Sequence, residues 1–159
     1  MTIKQLKHYM KNSTTNTNNF HLIIQTNSPG ELSTWVVPIV IYCKQHYKNI
    51  FITLCLVPCQ YASGNEKKVA EEINEIDQIY SPNETVKLCF KLKKFINKSV
   101  NGAVLCLGGD PFYAQLLKLV SGYKAYIYTE HKNKPGFLFN TVFYKHIIGD
   151  LMQTKIEQF

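Results

Sequence analysis

Three short apolar runs recur along the chain, each ending in a glycine-bearing polar loop and each followed by helix-like sequence. His21-Leu-Ile-Ile-Gln-Thr26 leads into Asn27-Ser-Pro-Gly-Glu31. Ile50-Phe-Ile-Thr-Leu-Cys-Leu-Val57 leads into Pro58-Cys-Gln-Tyr-Ala-Ser-Gly-Asn-Glu66, and Ala103-Val-Leu-Cys-Leu107 into Gly108-Gly-Asp-Pro-Phe112. A strand that is apolar at consecutive positions is buried on both faces, as the strands of a parallel sheet are. Strands alternating with helices give a parallel sheet joined by right-handed crossovers. The expected fold class is therefore α/β: a Rossmann-like open parallel sheet with helices on both faces. In such a sheet the loops at the carboxyl ends of the strands share one edge, and ligands bind along it.

The elements follow from local signals. Strands are expected at His21–Thr26, Ile50–Val57, Ala103–Leu107 and Tyr123–Thr129, with a short one at Ile79-Tyr80 and one more within Phe137–Ile148. The first helix is expected to begin near Leu32 and run to His46. Pro38 then falls in its early turns, where a missing N–H is best tolerated. The second helix starts after Ser63-Gly-Asn-Glu66, a capping-box spacing, and reaches about Ile76. Ser81-Pro-Asn-Glu84 starts a third, near Val86–Ile96. Pro111 opens a fourth, closed by Gly122. Residues 1–19 are Lys-, Thr- and Asn-rich with no apolar core, so they read as a flexible polar tail and not as a secretory signal. Residues 20–159 read as a single domain, with no internal repeat and no linker.

Charge and cysteines narrow the function classes. The net charge is +7, and all 18 basic residues are Lys. Without Arg, an anion must be held by Lys or by backbone N–H groups. The Lys are scattered, with one denser stretch at Lys87–Lys98. That stretch is either a solvated helix face or a surface for anionic lipid headgroups; nucleic acid is not an expected partner. Four of the five Cys, at positions 43, 55, 89 and 106, sit inside apolar runs and read as small hydrophobes. Cys55 and Cys59 have no His partner motif nearby, so no metal site is expected. Cysteine usage of this kind fits a reducing compartment.

Four loops carry the candidate chemistry. In Asn27-Ser-Pro-Gly-Glu-Leu-Ser33, Gly30 would let the backbone approach a ligand, and Glu31 would accept hydrogen bonds from a hydroxyl or act as a base. The plainer reading is that Ser28 or Ser33 caps the first helix and Glu31 favours its positive end. In Gly108-Gly-Asp110, Asp110 is either a general base for a hydroxyl or an N-cap ahead of Pro111. Ser63 and Gly64 lie in a polar loop or an ordinary capped turn. Glu130-His131 is a carboxylate–imidazole pair or two solvated loop residues. Neither a dinucleotide-type glycine pattern nor a phosphate-cradling P-loop is present.

Taken in order, S-P-G-E-L-S-T-W-V, L-V-P-C-x-x-A-S-G-x-E, L-G-G-D-P-F and Y-T-E-H resemble the N-terminal half of lipid-A-disaccharide synthases, and more closely their cyanobacterial and plastid relatives. The resemblance covers roughly residues 20–155. It implies one half of a GT-B glycosyltransferase fold, with this half binding an acyl-sugar or lipid-linked acceptor and the other half binding a UDP-sugar. It implies an inverting hexosyl transfer in lipid metabolism in which Asp110 takes the acceptor proton and Glu31 orients the acceptor. Asn27, Ser28, Gly30, Ser33, Ser63, Gly64, Gly108, Gly109, Glu130 and His131 would line the acceptor site. Thr34-Trp35 stand where the lipid A enzymes usually have Gly-Asp, so acceptor binding is expected to differ. The donor-binding half is expected to be missing from this chain, which therefore needs no cofactor of its own and is inactive alone. Expected partners are the acceptor, an anionic membrane surface and a separate donor-binding half. The implied location is the cytoplasm, or the plastid stroma for an organelle-encoded chain, peripheral to the membrane. The competing readings are an inactive fragment, a non-catalytic subunit, and a small nucleotide-binding domain.

Overall fold

The apolar runs become adjacent strands of one sheet. In the computed structural model, residues 19–60, 64–90, 101–129, 139–148 and 151–157 are described. The strands are β1 (Phe20–Thr26), β2 (Ile50–Leu56), β3 (Gln78–Tyr80), β4 (Asn101–Cys106), β5 (Lys124–Thr129), β6 (Thr141–Ile148) and β7 (Leu151–Glu157). Their spatial order is β3-β2-β1-β4-β5-β6-β7. The first six pair in parallel and only β7 is antiparallel, as the return of a β6–β7 ribbon. The α/β class and the parallel sheet expected from the apolar runs are thus observed. The antiparallel β7 is an addition, beyond the last strand expected within Phe137–Ile148.

Helices cover both faces. On one lies α1, made of Pro29–Glu31, a π-helical stretch Leu32–Val36 and Val37–His46, together with the short α2 (Glu66–Glu71). Val36, Val40, Cys43 and Ala70 pack there against Leu22, Ile24, Ile52 and Leu54. On the other lie α3 (Pro82–Phe90) and α4 (Pro111–Ser121). Their Leu88, Ala114 and Leu117 pack against Ile23, Val104 and Ala125. Residues 22–24 of β1 thus alternate between two cores, as the period-two geometry of a strand requires. Leaving such a run apolar throughout is what makes it a central strand and not an edge.

Two helix boundaries differ from expectation. α1 starts at Pro29, not Leu32, because the Ser28 hydroxyl accepts the Glu31 N–H and caps the helix three residues earlier. Pro38 consequently lies well inside the helix, two turns from its start. The π-helical turn just before it, in which Val37 N–H bonds the Leu32 carbonyl, is the local widening that accompanies it. α2 is shorter than its capping-box spacing implied, ending at Glu71, and runs into turns at Ile73 and Ile76. The short α2 hands over to Asp77, which fastens the edge of β2. Its carboxylate accepts the Ile52 N–H at 2.6 Å and pairs with Lys44 at 2.6 Å, while its own N–H bonds the Ile52 carbonyl. α3 begins where Ser81-Pro-Asn-Glu84 predicts. Glu84 takes hydrogen bonds from the Ser81 hydroxyl and amide, which hold its carboxyl down at about 2. Gly122 closes α4 in the left-handed conformation, with φ of 74°. The N-terminal tail up to residue 18, and residues 91–100, which hold the end of the third helix expected near Val86–Ile96 and most of the Lys87–Lys98 stretch, lie outside the described residues.

At the amino ends of the strands His21 is enclosed by aromatic neighbours. Its ring meets Phe51 and Tyr123 edge-on, and its Nε2 lies 2.8 Å from the Thr53 hydroxyl. Burial pushes its pKa from 6.5 down to about 4, against the smaller opposing pull of Asp77. Between those values the unfolded chain binds the proton and the folded chain does not, so His21 favours the folded state above pH 6.5 and loses that contribution as pH falls toward 4. Thermal melts across this window should show the midpoint dropping with pH, and the drop should be shallower in His21→Gln.

The cysteines give a second check. Cys43, Cys55, Cys89 and Cys106 are buried, and only Cys59 reaches the surface in part. Burial pushes the thiols of Cys43 and Cys106 up to about 12 and that of Cys89 to about 11, with Cys55 raised as well. A thiolate reagent at neutral pH should therefore modify one thiol rapidly in the native chain and all five after denaturation. Rapid native modification of two or more would contradict the burial described.

Candidate functional site

The chain changes direction across the sheet between β3 and β4, so β1 and β4 are neighbours whose following helices lie on opposite faces. That is a topological switch point, where the loops after the two strands part and leave a crevice. Two backbone bonds extend the pairing into the loops: Val57 N–H to the Thr26 carbonyl and Leu107 N–H to the Gln25 carbonyl. The segments Asn27–Glu31 and Gly108–Asp110 therefore emerge side by side.

Glu31 is the centre of this crevice. It is half-buried, and its Oε2 accepts the Thr26 hydroxyl at 2.8 Å and the Asn27 N–H at 3.1 Å. Thr26 points to the α1 face by strand alternation, which is why its hydroxyl meets the first turn of that helix. The carboxylate rests against Gly108 so closely that a Cβ on residue 108 would overlap it. Gly109 is needed for a different reason. Its φ is +76°, and a Cβ there would run into Val57 and approach Asn27. The two glycines after β4 thus let that loop close over the carboxylate presented from the first turn of α1.

Asp110 stands at the outer lip of the crevice. It is exposed, and its Oδ1 accepts the Phe112 N–H at 2.9 Å as the N-cap of α4. Capping, one of the two readings its position allowed, is observed directly. Ser28 likewise caps α1. The Ser33 hydroxyl bonds back to the carbonyls of Pro29 and Gly30, and Thr34 does the same to Gly30, in the π-helical turn. Gly30 is exposed with open space where a Cβ would stand, so neither its conformation nor its packing demands glycine. Trp35 packs edge-on against Tyr128 of β5, with ring centres 5.3 Å apart, which gives the Thr34-Trp35 departure a packing role. Gly64 is exposed with φ of +80°, in the loop after β2. Ser63, Glu130 and His131 lie outside the described residues.

Asn27, Glu31, Gly108, Gly109 and Asp110 are thus brought together at one edge. Three further residues belong to the surroundings and were not singled out from sequence. Thr26 and Gln25 are fully buried polar residues that follow the apolar Leu22–Ile24 in β1, and that contrast was the available signal. Glu66 is a buried carboxylate at the start of α2, which packs near the first turn of α1. Its capping-box position disguised it. No protein-family model, curated protein or solved structure matches the chain.

The overlap of Gly108 with Glu31 can be measured as a coupling. Gly108→Ala alone should cost about 1–3 kcal/mol, because the methyl must displace the carboxylate. In a Glu31→Ala background the same change should cost at least about 0.5 kcal/mol less. Equal costs in both backgrounds would show that residue 108 does not meet Glu31.

Proposed function

We propose that this domain recognises the acceptor in an inverting glycosyl transfer from a UDP-sugar to an acylated or lipid-linked sugar. The observation that carries the reading is Glu31: a half-buried carboxylate fixed by Thr26 and Asn27 at the β1–β4 switch point. A carboxylate held on one side by the protein offers its remaining lone pairs to hydroxyl groups, the chemistry that a sugar presents. Asn27 and the backbone N–H groups of the Gly108-Gly109 loop border the same crevice and suit sugar oxygens or a phosphate in a chain without Arg. Phe112, exposed in the first turn of α4 beside Asp110, offers apolar surface to an acyl chain.

In this reading Glu31 orients the acceptor and Asp110 takes the proton from the attacking hydroxyl as the oxygen bonds the anomeric carbon and UDP leaves. Donor binding belongs to a separate half, and an anionic membrane surface supplies the acceptor. Peripheral attachment is compatible with the helices: among the described residues none is long and apolar enough to cross a membrane. The enzymatic, glycosyltransferase assignment rests on the carboxylate pair and on the motif resemblance described above.

Binding and transfer separate the two carboxylates. Titration of the chain with an acyl-glucosamine phosphate should shift the amide resonances of Asn27, Gly108 and Gly109. Glu31→Gln should weaken that binding about 10-fold, the scale of one charge-assisted hydrogen bond. Asp110→Asn preserves the cap, so stability should change by less than about 1 kcal/mol. In an assay supplied with a donor-binding half and UDP-sugar, it should cost roughly 10²-fold or more in turnover. Acceptor binding that ignores Glu31→Gln would remove the basis of the proposal, and full turnover by Asp110→Asn would transfer the base to Glu31.

A further inference from the structure

The two halves of the crevice are gripped from opposite faces of β1. On the α1 face Thr26 holds Glu31. On the α4 face Gln25, fully buried, reaches under the loop after β4. Its Nε2 donates to the Gly108 carbonyl at 2.9 Å and to the Asp110 carbonyl at 3.0 Å, with Cys106 Sγ 3.5 Å away. Its Oε1 is buried and has no hydrogen-bond partner among the described residues. The amide thus spends both donors on one loop. Strand pairing alone does not fix this loop. The last backbone bond from β4 to β1 is at Leu107, and Gly108, Gly109 and Asp110 continue beyond it.

We propose that Gln25 is a positioning residue: its amide clamps the β4–α4 loop onto β1 and thereby sets where Asp110 and the Gly108 backbone stand relative to Glu31. Its relevance to acceptor recognition rests on the function proposed above; the clamp itself does not. The Asp110 carbonyl also accepts the Tyr113 N–H at 3.2 Å, so the clamp bears on the first turn of α4 as well as on the loop. The same chemistry predicts which substitutions fail. Methionine has a similar shape and no donor, so it removes both loop bonds and leaves the two loop carbonyls without that donor, and the cost should fall on the loop. Glutamate turns acceptor toward acceptor while ionised. Once protonated it regains one O–H donor, and burial raises the pH at which that happens.

The test uses hydrogen exchange on the isotopically labelled full chain, expressed as protection factors. In Gln25→Met the amides of Phe112 and Tyr113 should lose about 10-fold or more of their protection while Ile23 and Leu54 keep theirs, the pattern of a local opening. In Gln25→Glu the loss should be present at the pH where the carboxyl is ionised and should reverse as the pH is lowered through its titration, a response that a loss of packing would not give. Unchanged protection of Phe112 and Tyr113 in both variants would overturn the proposal. So would an even loss across all four amides with no recovery at low pH, which would make Gln25 a general core residue. Neither readout needs acceptor or donor. A loop response without acceptor binding would therefore sink the proposed function and leave the clamp standing.

Discussion

The parallel pairing of β1 with both β2 and β4 is the constraint on which the rest depends. It places Leu22, Ile23 and Ile24 between two helical layers, where each is buried. It makes the loops after β1 and β4 neighbours although they are some eighty residues apart in sequence. It also fixes the alternation that sends Thr26 to one face and Gln25 to the other. A one-residue slip of β1 would exchange those two side chains and turn both core faces inside out. Register in the centre of the sheet and geometry at its edge are therefore one specification.

The fold was legible where burial pattern and turn chemistry agreed. Ala103–Leu107 is apolar throughout and Ile50–Val57 is apolar at every position but Thr53, and both became central strands. Asp110-Pro111 and Gly122 marked both ends of α4 because an N-cap, a proline at N1 and a left-handed C-cap act locally. What was not legible depended on competition between signals. Ser28 and Leu32 both offered a start for α1, and Pro38 argued for the later one. The π-helical turn removed the objection and the earlier cap prevailed. The β7 strand has no such local marker, since its place is given by antiparallel pairing with β6.

The candidate site was half legible for a related reason. Residue types in the loops identified Asn27, Glu31, Gly108, Gly109 and Asp110, because glycine and carboxylates after an apolar run stand out. The sequence could not say that Glu31 would nestle against Gly108 while Asp110 faced outward; that difference arises from which helix each residue opens. Nor could it show that Ser33 would turn its hydroxyl onto its own helix. The supporting residues, Gln25 and Thr26, read as strand positions, and only the placement of β4 beside β1 gives them partners.

The π-helical turn in α1 has a consequence for how this edge can change. Such a turn amounts to one extra residue inside an α-helix. The wider turn absorbs that residue, so the capped start of the helix keeps the phase that ordinary winding would give it with one residue fewer. Straightening Leu32–Val36 into ordinary α-helix without shortening it would rotate Glu31 by about 100° relative to Val40 and Cys43, which are anchored in the core, and would carry it away from Thr26 and Gly108. The orientation of the carboxylate is thus stored as a phase in the winding of the residues that follow it, and a one-residue deletion there would disturb it less than a substitution that straightens the turn at full length.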